Sequence, residues 1–158
     1  MINRLRETWN TGKPALNGWL AIPSTFSAEI MSHQNFDSIT IDLQHGLTDY
    51  SIAVPMMQAM SASDATMLCR VPWLEAGIIM KLLDAGAMGI ICPMINSREE
   101  AEEFVGATLY SPQGYRSSGP VRANIIHPDY HNSANDQIIS LAMICLLYTS
   151  PSPRDWLQ

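Results

Sequence analysis

Short runs of apolar, β-forming residues alternate along the chain with longer stretches in which apolar residues recur at helical spacing. The short runs predict five strands, at Gly18–Ile22, Phe36–Asp42, Ala65–Val71, Met88–Cys92 and Ile138–Ile144. The longer stretches predict helices at about 24–32, 50–61, 75–84 and 97–109. Because strands recur about every 20 to 25 residues and are followed by helices, the pattern predicts parallel βαβ units.

Two architectures satisfy this order of elements, an open doubly wound sheet and a closed barrel of eight βα units. An open nucleotide-binding sheet usually has a glycine-rich turn after its first strand, whereas this chain has Ile-Pro-Ser-Thr at 22–25. Polar residues follow the second and third strands, at 42–45 and at Arg70, and a barrel brings such positions together at its carboxyl-terminal face. We therefore predict an α/β chain with the fold of a (β/α)8 TIM barrel, truncated after about strand five.

Two segments depart from the repeating pattern. Residues 110–135 are rich in Gly, Pro, Ser and Asn, and we predict a long irregular stretch there. Residues 145–158, CLLYTSPSPRDWLQ, have neither helical nor strand period. We expect residues 1–144 to form the partial barrel and residues 145–158 to be a non-native tail. The alternative is a natural proline-rich tail, and the genomic sequence beyond the codon for Ile144 would decide between the two.

Composition and charge narrow the class of protein. With 47% hydrophobic residues the chain can bury a core, and its formal net charge of −6 comes without a basic run interleaved with aromatics, so we expect no nucleic-acid partner. No apolar run approaches the roughly 18 residues of a membrane helix. Cys69, Cys92 and Cys145 lack metal-ligand spacing and lie in apolar surroundings, which predicts reduced, buried thiols in a cytoplasmic protein.

The segment from Asp42 to Gly46 is the main candidate for chemistry. His45 follows an apolar strand and can act as a general base near neutral pH if a carboxylate orients it, and Asp42 is close enough in sequence to do so. Arg70 is the only charged residue in its apolar run, and its planar fork matches a carboxylate. The alternatives are a histidine bonded to a loop carbonyl and an arginine paired with a structural Asp or Glu.

In order along the chain, several segments together resemble the HpcH/HpaI aldolases, the pyruvate-type class II aldolases related to citrate lyase. The matching segments, which cover roughly residues 18 to 144, are Gly18–Leu20, Phe36–Asp37, Ile41–Gly46, Cys69–Trp73, Leu82–Ala87, Cys92–Ile95, Tyr110–Arg116, Gly119–Ala123 and Leu141–Ile144. The resemblance implies a (β/α)8 barrel, usually hexameric, that cleaves 4-hydroxy-2-oxo acids to pyruvate and an aldehyde with Mg²⁺, Mn²⁺ or a similar ion.

The resemblance also implies a role for individual residues. His45 would transfer protons with Asp42 orienting it, Arg70 would bind the pyruvyl group and stabilise the enolate, Trp19 would lie near the substrate, and Gln44 would touch the water network. Many members of the family have Glu where this chain has Gln44. The family's metal carboxylates follow the fifth and sixth strands, but Cys145 follows Ile144 here, so we expect both ligands to be absent from this chain.

Three hypotheses about function follow from these expectations. The leading one is a metal-dependent aldolase or lyase of which this chain represents the amino-terminal portion. A second is a lyase acting on acyl-CoA thioesters of the citrate or malyl type, which would need a basic, adenine-binding surface. A third is a non-catalytic barrel fragment, because half a barrel leaves strand edges unpaired.

Overall fold

The computed structural model describes residues 3–146 and contains a parallel sheet with helices between its strands. The five strands are β1 (Asn17–Leu20), β2 (Ser38–Asp42), β3 (Thr66–Arg70), β4 (Gly89–Cys92) and β5 (Ile139–Ala142). The helices are α1 (Arg4–Asn10), α2 (Thr25–Ser32), α3 (Tyr50–Met60), α4 (Ala76–Asp84), α5 (Arg98–Thr108), α6 (Val121–Ile126) and α7 (Tyr130–Gln137).

Within the described residues, no helix is both long and apolar enough to cross a membrane. Apart from its first two residues, the expected tail at 145–158 lies outside the described residues.

The strand order distinguishes the two architectures that satisfy the order of elements in the sequence. All neighbouring strands are parallel, and they follow the order β1-β2-β3-β4-β5 along the sheet. In a doubly wound sheet the order of the strands reverses near the middle, although the strands stay parallel. In a barrel, each new strand is added beside the previous one. The observed order is therefore that of successive units of a (β/α) barrel, as predicted.

The two faces of the sheet differ in what covers them. Ile39, Ile41 and Cys69 on one face are fully buried and pack against the helices. The helix side of this core includes three fully buried methionines of α3, Met56, Met57 and Met60. The opposite face corresponds to the barrel interior and carries polar residues on β1 and β2, where the Asn17 side chain accepts hydrogen bonds from the Ser38 and Thr40 hydroxyls.

The predicted boundaries of the five strands and four helices agree with the structure to within two residues, because each element has a strong local signal. Ser97 caps α5, and the reciprocal bond from Glu100 completes the capping box that the sequence predicts. Glu75 likewise caps α4 instead of belonging to it. The fifth strand ends at Ala142, two residues before the predicted end at Ile144.

The prediction of an irregular stretch at 110–135 holds for residues 110–120 but was wrong beyond them, because α6 and most of α7 lie there. Both helices are short and neither has a side-chain cap, so they lack the signals by which helices are found in a sequence. A buried arginine fixes this region to the rest of the fold. The Arg116 guanidinium donates to Asp84 at 2.6 Å and to the Tyr130 hydroxyl at 3.0 Å.

An amino-terminal helix that the sequence analysis did not predict, α1, lies across the amino-terminal ends of the central strands. Its N-cap residue Asn3 is buried, donates through its side-chain amide to the carbonyl oxygens of Met88 and Gln137, and accepts from the Thr66 hydroxyl. Leu5 packs on the inner face of the sheet. The helix therefore closes the end of the sheet opposite to the carboxyl ends of the strands.

Candidate functional site

Asp42 and Arg70 form an ion pair at the carboxyl ends of β2 and β3. The two residues are register partners at the last pair of these strands, so the sheet itself sets their side chains next to each other. Arg70 Nε donates to Asp42 Oδ1 at 2.9 Å, and Arg70 Nη2 donates to Oδ2 at 2.6 Å. This two-bond geometry is the strong form of an arginine–carboxylate contact.

The Asp42 carboxylate accepts further hydrogen bonds from three directions. The backbone N–H groups of Gln44 and His45 donate to Oδ1 at 3.0 and 3.3 Å, and the Trp19 indole N–H donates to Oδ2 at 3.3 Å. Burial acts to raise the pKa of Asp42, but these donors and Arg70 outweigh it and hold the pKa well below its usual range. Asp42 is therefore ionised at neutral pH and has a structural partner for each oxygen.

Arg70 is held from a second side by an aromatic ring. Its guanidinium carbon lies 4.9 Å from the ring centroid of Trp19, within the range of a cation–π contact. The hydrogen bond to Asp42 raises the pKa of Arg70, so the cation persists at any physiological pH. About 13% of the Arg70 side chain remains exposed, so the arginine is largely but not completely buried at the carboxyl end of β3.

The loop after β2 places His45 beside this ion pair, but not through the contact that the sequence suggested. Asp42 bonds to the backbone N–H of His45, and among the described residues it makes no bond to the imidazole, which is exposed. A Cβ at Gly46 would overlap the carbonyl oxygen of Asp42, so the loop requires glycine there. The structure therefore brings together Asp42, Arg70 and Trp19 in one bonded unit and leaves the His45 ring free at its edge.

Gln44 lies in the same loop and is partly buried. Its side-chain oxygen is enclosed, and no described residue donates a hydrogen bond to it. A buried acceptor of this kind normally has a partner, and water supplies one where protein does not. The position is in keeping with the contact to water that the family resemblance implies for Gln44.

The carboxylate and thiol groups of the described residues do not form a metal centre. Residues 3–146 contain no cluster of three or more His, Cys, Asp or Glu side chains that could hold an ion. Asp42, the buried carboxylate at the site, is bonded to Arg70 and to the loop. The residues described here thus do not fit a divalent metal by themselves.

The cysteines divide into two kinds, which corrects the expectation that all three are buried. Cys69 and Cys92 are fully buried, and burial raises the pKa of each thiol to about 12, so both are unreactive. Cys145 is exposed and follows β5, where its Sγ accepts from the backbone N–H of Met94 at 3.3 Å. It therefore lies at the carboxyl end of the sheet.

The strand order and the arginine–carboxylate pair at the carboxyl face define an α/β chain of the barrel class with a polar site where barrels place their chemistry. Residues 18–147 match the sequence profile of the HpcH/HpaI aldolase/citrate lyase family. The chain belongs to this family, which is in general a class of metal-dependent aldolases.

Two relatives that are named as aldolases agree with membership of this family. The chain is 42% identical over 144 residues to a hydroxypyruvate/pyruvate aldolase of Rhizorhabdus wittichii, covering 90% of this chain and 57% of that protein. It is 31% identical over 148 residues to a 4-hydroxy-2-oxo-heptane-1,7-dioate aldolase of Salmonella paratyphi C, covering 91% and 56%. The chain thus spans a little over half the length of these relatives.

Solved structures give the same result for the fold. The crystal structure of an HpcH/HpaI aldolase/citrate lyase family protein from Burkholderia cenocepacia superposes with a TM-score of 0.80 at 27% identity. The match covers 89% of this chain and 58% of the other. The described half-barrel therefore has the arrangement found in this family.

Proposed function

We propose that the whole protein cleaves a 4-hydroxy-2-oxo acid to pyruvate and an aldehyde, and catalyses the reverse aldol condensation. The observation that supports this most directly is the position of Arg70, a fixed cation at the carboxyl face beside the exposed His45. The similarity to proteins named as pyruvate aldolases favours this chemistry over a thioester lyase of the citrate or malyl type.

The reaction requires a base and a fixed positive charge. Removal of the proton from the C4 hydroxyl lets the C3–C4 bond break, so that an aldehyde forms and the electron pair moves to the C2 oxygen as an enolate. Protonation of the enolate at C3 then gives pyruvate. We propose that His45 takes part in the proton transfers, and that Arg70 binds the oxo-acid group and stabilises the developing enolate.

The geometry changes the role that we propose for Asp42. Its carboxylate bonds to Arg70 through both oxygens and to the backbone of the loop that carries His45. We propose that Asp42 positions Arg70 and the backbone of that loop, rather than the imidazole. Gln44 is proposed to act through water, which is supported by its enclosed oxygen without a partner among the described residues.

We propose that the metal is Mg²⁺ or Mn²⁺, held by carboxylates outside residues 3–146, and that it supplies a Lewis acid when bound. We also propose that the whole protein is an oligomer. Val121 and Ile125, one turn apart on α6, are each 77% exposed, and this apolar surface of the helix supports self-association. Sedimentation of the purified whole protein would measure the oligomeric state.

The proposed reaction is tested with the purified whole protein, a divalent metal and a 4-hydroxy-2-oxo acid, with pyruvate release as the readout. We expect His45→Ala to lower kcat by about 100-fold or more, as for loss of a general base. His33→Ala is the matched control, because His33 is also exposed but ends α2 at the other end of the sheet. Unchanged activity in His45→Ala would refute its role, and no pyruvate from the wild-type protein would refute the function.

A further inference from the structure

Trp19 contacts both members of the ion pair at once. Its indole N–H donates to Asp42 Oδ2, and its ring lies against the Arg70 guanidinium. We propose that Trp19 is a positioning residue that holds Arg70 in its binding orientation, instead of serving mainly as a contact for the substrate. The inference rests on the proposed function in one respect, that Arg70 is the group that binds the oxo acid.

The contacts of Arg70 explain why a second support is needed. Asp42 fixes the edge formed by Nε and Nη2, but an edge contact alone lets the guanidinium plane rotate about the pair of hydrogen bonds. A ring against the guanidinium resists that rotation, because the face of an indole attracts a cation. Together, the two contacts leave Nη1 without a hydrogen bond to Asp42, so it can donate to a ligand.

The polar contacts of Trp19 point to a role beyond packing. The residue lies on β1 opposite Thr40 of β2, on the face that corresponds to the barrel interior. Its indole N–H has a hydrogen-bond acceptor in Asp42 Oδ2, and its ring has a cation beside it in Arg70, so the ion pair engages both polar features of the ring. The hydrogen bond from Nε1 also fixes the direction of the ring.

The test follows the Arg70 Nε–H proton by NMR in the whole protein labelled with ¹⁵N, with the signal assigned through its loss in Arg70→Lys. Hydrogen exchange of this proton with water reports how long Arg70 stays bonded to Asp42. We expect exchange to become faster by about three- to fivefold in Trp19→Leu, which removes the ring and the N–H, and by about twofold in Trp19→Phe, which keeps a ring. Trp73→Leu is the matched control, since Trp73 is exposed and follows β3, and should leave the rate unchanged.

Titration with pyruvate separates this inference from the proposed function. Positioning is supported if Trp19→Leu binds pyruvate more weakly and also shows faster exchange of the Arg70 proton before pyruvate is added. Trp19→Phe should recover part of the pyruvate binding. Weaker binding with an unchanged exchange rate would mean that Trp19 only contacts the substrate, and would overturn the inference. If wild-type protein that holds Arg70 rigidly does not bind pyruvate with divalent metal present, the proposed function fails while the exchange rates still test the positioning. Should Trp19→Leu not fold, an unchanged rate in Trp19→Phe would overturn it.

Discussion

Replacement of Asp42 by asparagine tests the ion pair with almost no change in shape. The new amide could keep one oxygen for the backbone N–H groups of the loop, but its NH₂ would face Arg70 Nη2, which lies only 2.6 Å from Oδ2. Removal of one partner from a buried pair costs about 3–5 kcal/mol, and a hydrogen bond to a charged group contributes about 1.5–3 kcal/mol. Because the Arg70 side chain is 13% exposed and can reach water, we expect a loss of about 2–3 kcal/mol.

The assay is urea denaturation of the single and double variants of Asp42→Asn and Arg70→Met, from which a coupling free energy is obtained. The matched control is the Arg98–Glu102 pair, whose N–O distance of 2.7 Å is similar but whose side chains are 86% and 63% exposed. An exposed pair of this kind should show a coupling of about 0.3–0.5 kcal/mol. If the coupling of Asp42 with Arg70 were no larger than that of the control, the argument from burial and two-bond geometry would be refuted.

Further predictions concern acid stability, the loop and the core. Because the folded-state pKa of Asp42 lies below its usual value of about 3.9, its stabilisation is present above about pH 4 and declines as the pH falls toward the folded pKa. Denaturation midpoints against pH should therefore fall less steeply in acid for Asp42→Asn than for wild type. Gly46→Ala should lower Tm because the added Cβ meets the Asp42 carbonyl, whereas Gly119→Ala, with open space, should not, and equal Tm values would contradict this. Phe104→Ala should cost about 3–5 kcal/mol in urea denaturation, since Phe104 is fully buried, and a loss below about 1 kcal/mol would count against a close-packed core.

The sequence predicts the repeating part of the fold well, because each strand and each longer helix has its own local signal. Residues of α6 show why the irregular stretch was misread. Val121 and Ile125 are apolar yet exposed, while Ala123 is buried, so the apolar residues of the helix do not mark its buried face. Arg116 fixes this region to the rest of the fold through an ion pair with Asp84, which is distant in sequence. The periodic spacing of apolar residues carries no information about such a contact.

For the candidate site, the sequence indicates which residues lie near the carboxyl ends of the strands but not how they contact one another. Asp42 and Arg70 could be placed at strand ends, but the register that makes them opposite neighbours depends on how β2 and β3 align. The sequence distance between Asp42 and His45 suggested a contact with the imidazole, whereas the turn at Gly46 directs the backbone N–H of His45 to the carboxylate instead. Side-chain direction in a loop depends on such turns, which residue spacing does not determine.

The bonds of Asn3 have a consequence for the order in which the protein can be made. Its backbone N–H and side-chain amide bond to Gln137, 134 positions later in the chain. On a ribosome that adds about 5–20 residues per second, the first helix would wait on the order of ten seconds before this partner emerges. Closing so long a loop is entropically costly and occurs after local contacts have formed. Asn3 is therefore among the later described residues to reach its final position, and until β5 is made the small cluster of Leu5 and Leu68 lacks Ile139.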